Sequence, residues 1–179
     1  MEILFLLIII SIVICFKSIK KVNLSEAHII ERLGVYHTTV TKGIYFINPF
    51  TDKIRAIVDL KEQFLTDSPQ KVITKDNIEI VIYTDTSYQI LDPYKSVYNI
   101  QNLKSALSVL TTTVLCDIVE KMDMNSIFTS KEQINEKLSV NLDEYADKWG
   151  YKINKVEIKD ISIPKDLKDA IENRWFKSL

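Results

Sequence analysis

From Ile3 to Phe16 the chain is apolar at every position except Ser11, and charge then arrives at Lys17, Lys20 and Lys21. A helix that is apolar all round is either buried in protein or set in lipid. No later stretch is comparably apolar, which favours lipid. The run predicts a membrane anchor made by Ile3, Leu4, Phe5, Leu6, Leu7, Ile8, Ile9, Ile10, Ile12, Val13, Ile14 and Phe16. At ~1.5 Å per residue it reaches roughly 21 Å, against ~30 Å of hydrocarbon. Lysine stems that snorkel to the interface bring it nearer to a thin span. A single span, a re-entrant insertion and a cleaved signal peptide compete. Glu2 stands where a signal peptide needs a basic region, and Cys15-Phe16-Lys17 is a poor cleavage site. A single retained N-terminal anchor is therefore expected. The lysines on its C-terminal side put the rest of the chain on the cytoplasmic side of the membrane.

Beyond the lysines the pattern becomes alternating. Residues 27–32 and 35–40 read as short strands around Leu33-Gly34. Thr41-Lys42-Gly43 marks a turn before the strand Ile44-Tyr45-Phe46-Ile47, which Asn48-Pro49 ends. Residues 53–60 place Ile54, Ala56 and Val58 on one face, and Asp67-Ser68-Pro69 breaks the chain. Ile73 reads as a short strand before the turn Thr74-Lys75-Asp76-Asn77. Residues 78–90 alternate over about twice the usual strand length, which predicts a bend or a bulge.

The period then changes to that of a helix. Asp92-Pro93 is an N-cap followed by a proline at the first helical position. Asn102 caps a longer helix with Leu103, Leu107, Leu110, Val114, Leu115, Ile118 and Val119 at helical spacing. Ser130-Lys131-Glu132-Gln133 reads as a capping box. The helix it opens carries the stripe Ile134, Leu138, Leu142, Tyr145 and Trp149, with Gly150 as its stop. Residues 151–163 return to strand, and Pro164 opens an amphipathic helix with Leu167, Ile171 and Trp175 on one side. Strands, helices, a strand and a helix predict an α+β domain, its helices grouped against a mostly antiparallel sheet. The expected divisions are an anchor over 1–21, a domain over 22–164 and the start of a C-terminal helix over 165–179.

Composition narrows the function classes. The net charge is −1 with acids and bases interspersed, which argues against nucleic acid as a partner. Glycine (3 residues) is too scarce for a nucleotide-cradling loop. No nucleophile elbow, H-E-x-x-H or C-x-x-C occurs. His28 and His37 lack neighbours at metal-ligand spacing, and Asp76 reads as a turn aspartate bonding its own backbone. Cys116 lies among apolar neighbours and reads as an inert thiol. Cys15, at the lipid boundary, is a candidate for acylation, against its plain reading as a small apolar residue. No catalytic residue, cofactor or metal site is expected.

Eight motifs in order resemble those of one family. They are Ile30-Glu31-Arg32-Leu33-Gly34-Val35-Tyr36, the turn from Lys42 through Gly43-Ile44-Tyr45-Phe46-Ile47-Asn48-Pro49 to Phe50, and Val58-Asp59-Leu60-Lys61-Glu62-Gln63. Ile73-Thr74-Lys75-Asp76-Asn77, Asp92-Pro93, Lys148-Trp149-Gly150, Val156-Glu157-Ile158-Lys159-Asp160-Ile161 and Pro164 follow. Together, behind an apolar N-terminus, they resemble the stomatin/prohibitin group, also called band 7 or SPFH proteins. The resemblance implies a strand-rich part nearer the membrane, then an αβ part and a long helix. It implies a scaffold without enzymatic activity that forms large homo-oligomers, organises membrane microdomains and gathers channels or membrane proteases. The sequence departs from the pattern near Cys116 and Lys131, where the family usually has a basic residue and an arginine. It also stops at Leu179, short of the family's long helix, and the closing of large rings by coiled-coil contacts is left open.

Two further contacts are candidates. Ile44, Tyr45, Phe46, Ile47 and Phe50 are candidates for a second membrane contact, against their plain reading as core. Leu167, Ile171 and Trp175 are candidates to meet a neighbouring subunit, with packing on their own domain as the alternative. An unrecognised membrane-associated hydrolase and a monomeric lipid-binding module are the rival readings.

Overall fold

A computed structural model describes residues 18–163. The anchor residues 3–16 with Cys15, and the contact residues Leu167, Ile171 and Trp175, lie outside the described residues. Among the described residues no helix is long and apolar enough to cross a membrane. The chain forms two compact units, Met1–Lys61 with Ile90–Asn99, and Glu62–Gln89 with Ile100–Leu179.

The first unit is strand-rich. β1 (Ile19–Val22) pairs antiparallel with β4 (Gly43–Phe46), from Ile19 opposite Phe46 to Val22 opposite Gly43. β1 takes up Lys20 and Lys21, which the sequence reading assigned only to the anchor's flank. A second sheet has the order β3 (Val35–Val40), β2 (Glu26–Arg32), β5 (Asp52–Asp59). β2 lies in the middle and buries Ala27, His28, Ile29 and Ile30 in succession, as a strand covered on both faces does. Bulges at Ile29/Ile30 and Ile30/Glu31 shift its register against β5 and β3. α1 (Pro93–Tyr98) starts as expected, with the Lys95 N–H donating to the Asp92 side chain at 3.1 Å. Its Tyr94 meets Tyr36 of β3 edge-on at 4.6 Å, and the Tyr98 hydroxyl donates to Glu31 Oε1 at 2.8 Å. Burial, with the Glu31 carboxylate, pushes the Tyr98 phenol up to about 12.

The second unit builds its sheet on the long strand. β6 (Gln63–Thr66) and β7 (Gln70–Ile73) pair antiparallel with successive halves of β8 (Glu79–Ile90), and β9 (Tyr151–Ser162) also pairs with β8. β8 keeps an unbroken register with both short partners, so the expected bulge is not at those pairings. β6 follows a polar stretch and is too short for its alternation to be read.

α2 (Leu103–Val119), α3 (Met124–Thr129) and α4 (Lys131–Asp147) follow. Asn102 caps α2, accepting the Ser105 N–H at 3.1 Å. The capping box at Ser130 does not form. Ser130 is also the end of α3, its N–H goes to Ser126 O at 3.0 Å, and no N–H is left for Gln133 to reach back to. α4 buries Ile134, Leu138, Leu142 and Ala146, while Tyr145 is 43% exposed. The inward stripe thus continues in steps of four, and Tyr145 falls one residue off it. Gly150, at φ +79°, ends the helix as expected.

α4 also closes one edge of β9. Asn135, Ser139 and Asp143 stand four residues apart and accept the N–H groups of Ile158, Val156 and Ile153 at 2.9, 2.8 and 3.0 Å. The buried positions of β9 slip by one residue between Ile153 and Val156. That slip lets three N–H groups on one edge follow a helical spacing.

Candidate membrane-contact surface

One end of the first unit gathers apolar side chains in solvent. It starts at the β2–β3 hairpin, where Leu33 and Gly34 have φ +52° and +83°. Two positive φ angles make the hairpin turn whose twist suits the flanking strands, and asparagine, aspartate or glycine normally fill it. Leucine in the left-handed region costs roughly 1–2 kcal/mol. Here Leu33 occupies it with 79% of its surface exposed, so the protein gains nothing from it by core packing.

The Leu33 N–H donates to Thr51 O at 2.9 Å, which joins the hairpin tip to the turn after β4. That turn is built by polar groups. The Asn48 side chain accepts the Phe50 N–H at 3.1 Å, and the Asn48 carbonyl accepts the Asp52 N–H at 2.9 Å. Asp52 Oδ2 takes the Asn48 N–H at 3.1 Å, and Oδ1 takes the Thr51 hydroxyl at 2.9 Å. Arg32 grips the same carboxylate through Nε and Nη2 at 2.7 and 3.0 Å. These bonds hold the Asp52 carboxyl well below the usual carboxylate range, the Arg32 guanidinium foremost. The outcome is an outward Phe50, 79% exposed, beside Phe46 at 69%. A groove of about 350 Å³ runs between Ser18, Arg32, Phe46, Phe50 and Asp52.

The strand alternation divides the five residues of the expected second contact. Ile44, Phe46 and Phe50 are exposed. Tyr45 and Ile47 turn inward: the Tyr45 hydroxyl bonds His28 Nδ1 at 3.0 Å, and Ile47 is buried. Leu33 and Val35, both exposed, belong to this end and were read from sequence only as turn and strand. A leucine where a hairpin calls for asparagine was the signal that marked it. Ser18 lines the groove and its carbonyl accepts the Ile47 N–H at 2.8 Å, so the surface lies two residues beyond Phe16, where the apolar run ends.

The residues considered for chemistry are placed elsewhere. Asp76 does not bond its own turn. Its carboxylate accepts the Met124 N–H at 3.1 Å and so caps α3, whose own N-cap Asp123 makes no capping bond and pairs instead with Lys75 at 3.8 Å. Burial pushes the Cys116 thiol up, with Glu120 and Asp117 adding to it, which suits an unreactive thiol. Among the described residues no group of three His, Cys, Asp or Glu side chains is placed to hold a metal ion.

The profile of the SPFH domain / Band 7 family matches residues 20–175. An uncharacterised protein of Methanothermobacter thermautotrophicus is 37% identical over 94% of this chain and 53% of its own length. An uncharacterised protein of Methanocaldococcus jannaschii is 34% identical over 91% of this chain and 81% of its own. Human stomatin-like protein 2, mitochondrial, is 29% identical over 82% of this chain and 41% of its own. An uncharacterised protein of Mycobacterium bovis is 37% identical over 94% of this chain and 44% of its own length, so the chain spans about half the length of this relative and of the Methanothermobacter one.

Proposed function

This chain belongs to the SPFH domain / Band 7 family, and from that premise we propose that it is a membrane-associated scaffold and not an enzyme. The observation that carries the reading is Leu33, an exposed apolar side chain held in a strained turn whose N–H bonds the carbonyl of Thr51, the residue after the exposed Phe50. In this reading such a residue gains its stabilisation from something outside the folded unit, and Ser18, which lines the groove at this end, follows the apolar run by two residues in the chain. Moving a leucine or phenylalanine side chain fully out of water contributes about 1.5–3 kcal/mol. Three of them strengthen a short anchor considerably.

In this reading residues 3–16 hold the chain in the bilayer, and Leu33, Phe46 and Phe50 rest in the interface beside them. Lys17, Lys20 and Lys21 keep the two units on the cytoplasmic side. The scaffold assembles as a homo-oligomer, in which Leu167, Ile171 and Trp175 meet a neighbour, and it gathers membrane proteins such as channels or proteases. Those assembly and client roles come from the family resemblance.

Co-flotation with phosphatidylcholine vesicles tests the surface. The full chain and a variant carrying Leu33→Ser, Phe46→Ser and Phe50→Ser are compared after a salt wash. The variant is expected to float less while keeping its circular dichroism. Equal flotation refutes a role for this surface.

A further inference from the structure

In the second unit a layer of polar side chains lies between the sheet and α2. Asp67 leaves β6, and its N–H donates to Thr84 O at 3.0 Å. Its side chain is 4% exposed. Around it stand Thr84 and Thr86, two residues apart on one face of β8, and Thr111 of α2, none more than 1% exposed. The Thr84 and Thr111 hydroxyls reach Asp67 Oδ2 at 3.4 and 3.5 Å, well beyond an ordinary O–H···O distance of ~2.7–2.8 Å. Asp67 Oδ1 has no partner, and neither does Thr86 Oγ1.

An ionised carboxylate so placed lacks compensation, because a buried charge needs an ion pair or short, complete hydrogen bonds. Lys104 of α2 acts on it by charge without forming an ion pair. Asp85, the residue between Thr84 and Thr86, turns to the other face of β8 and pairs with Lys159. Lys71 of β7 pairs with Glu79 at 3.5 Å, and Gln70 bonds the hydroxyl of Thr112. α4 brings only the apolar Ile134, Leu138, Leu142 and Ala146 into the core.

We infer that Asp67 is a buried proton-binding site, its carboxyl held neutral with the proton on Oδ1 donated to Thr86 Oγ1. That single bond satisfies both orphaned atoms, while Thr84 and Thr111 go on donating to Oδ2. Burial pushes the Asp67 carboxyl above its ordinary value, against the smaller downward pull of the hydroxyls and Lys104. With the folded value raised, the stabilisation is complete below the unfolded carboxylate pKa and is lost as pH rises through the folded one. Losing the proton leaves a buried charge between β8 and α2, so the grip of this helix on its sheet is controlled by protons.

The test is a carbon-13 NMR titration of the aspartate carboxyl carbons in the full chain in detergent. One resonance, absent from Asp67→Asn, is expected to titrate above all other aspartates. Thr86→Val is expected to lower its midpoint, because the acceptor for the proton is gone. Asp67→Asn is expected to hold its stability over the rise in pH that weakens the unsubstituted protein. If Asp67→Asn does not fold, the response to Thr86→Val identifies the resonance. Aspartates that all titrate in the ordinary range overturn the site. A midpoint that rises in Thr86→Val, showing that the hydroxyl donates to the carboxylate, overturns it as well.

Discussion

Arg32 and Asp52 are joined by two hydrogen bonds, at 2.7 and 3.0 Å, from β2 to β5. The same carboxylate accepts the Asn48 N–H, so the pair ties the Asn48–Thr51 turn to the sheet and sets the direction of Phe50. Its folded pKa is depressed. The stabilisation is therefore present above the unfolded carboxylate pKa and is lost as pH falls through the folded value. Asp52→Asn is expected to melt lower than the unsubstituted protein at neutral pH and to lose less on acidification. Thermal melts from neutral to strongly acidic pH measure both. Parallel melting curves count against the clamp.

Leu33 separates stability from function. Leu33→Asn fits the left-handed turn better and is expected to stabilise the protein by about 1 kcal/mol. The same change is expected to weaken vesicle binding, because an apolar side chain leaves the contact surface. Urea unfolding and co-flotation read the two effects. A variant that loses stability shows that Leu33 packs within its own unit.

The clasp between α4 and β9 rests on one hydroxyl at its centre. Ser139→Ala leaves the N–H of the fully buried Val156 without a partner. An orphaned buried donor costs about 1–3 kcal/mol. A fall in the urea midpoint at unchanged slope is the expected result. Leu138→Ala, in the core of the same unit, is expected to cost about 2–5 kcal/mol.

Much of this architecture was legible in the chain. The β2–β3 hairpin, the long β8, the caps at Asp92 and Asn102 and the stop at Gly150 are local signals, fixed by residues within a few positions of each other. What failed was of two kinds. β1, β6 and α3 are too short for a period to show. Ser130 failed because one residue serves two helices, and Tyr145 because an alanine beside it faces the core. The proposed membrane-contact surface was half legible. Ile44, Phe46 and Phe50 are outward as a contact requires, but alternation turns Tyr45 and Ile47 inward. Leu33 joins the site through a bond to Thr51 that no local pattern announces.

The proposed assembly is tested by truncation. Removing residues 165–179 is expected to shift the detergent-extracted protein to smaller species, read by native mass measurement. Its circular dichroism and cooperative melt are expected to persist. An unchanged assembly moves the subunit contact to another part of the chain.

The depth of Phe50 in the bilayer tests the central claim most directly. Phe50→Trp and Leu24→Trp are each reconstituted into vesicles containing brominated lipids, with the unsubstituted protein as background for Trp149 and Trp175. Leu24 is the sharper control because it is 85% exposed yet lies beyond the opposite end of β2. That places it roughly 20 Å or more along the strand from the hairpin tip. Strong quenching of the tryptophan at position 50 and weak quenching at position 24 is the predicted result. No added quenching at position 50 would contradict the account.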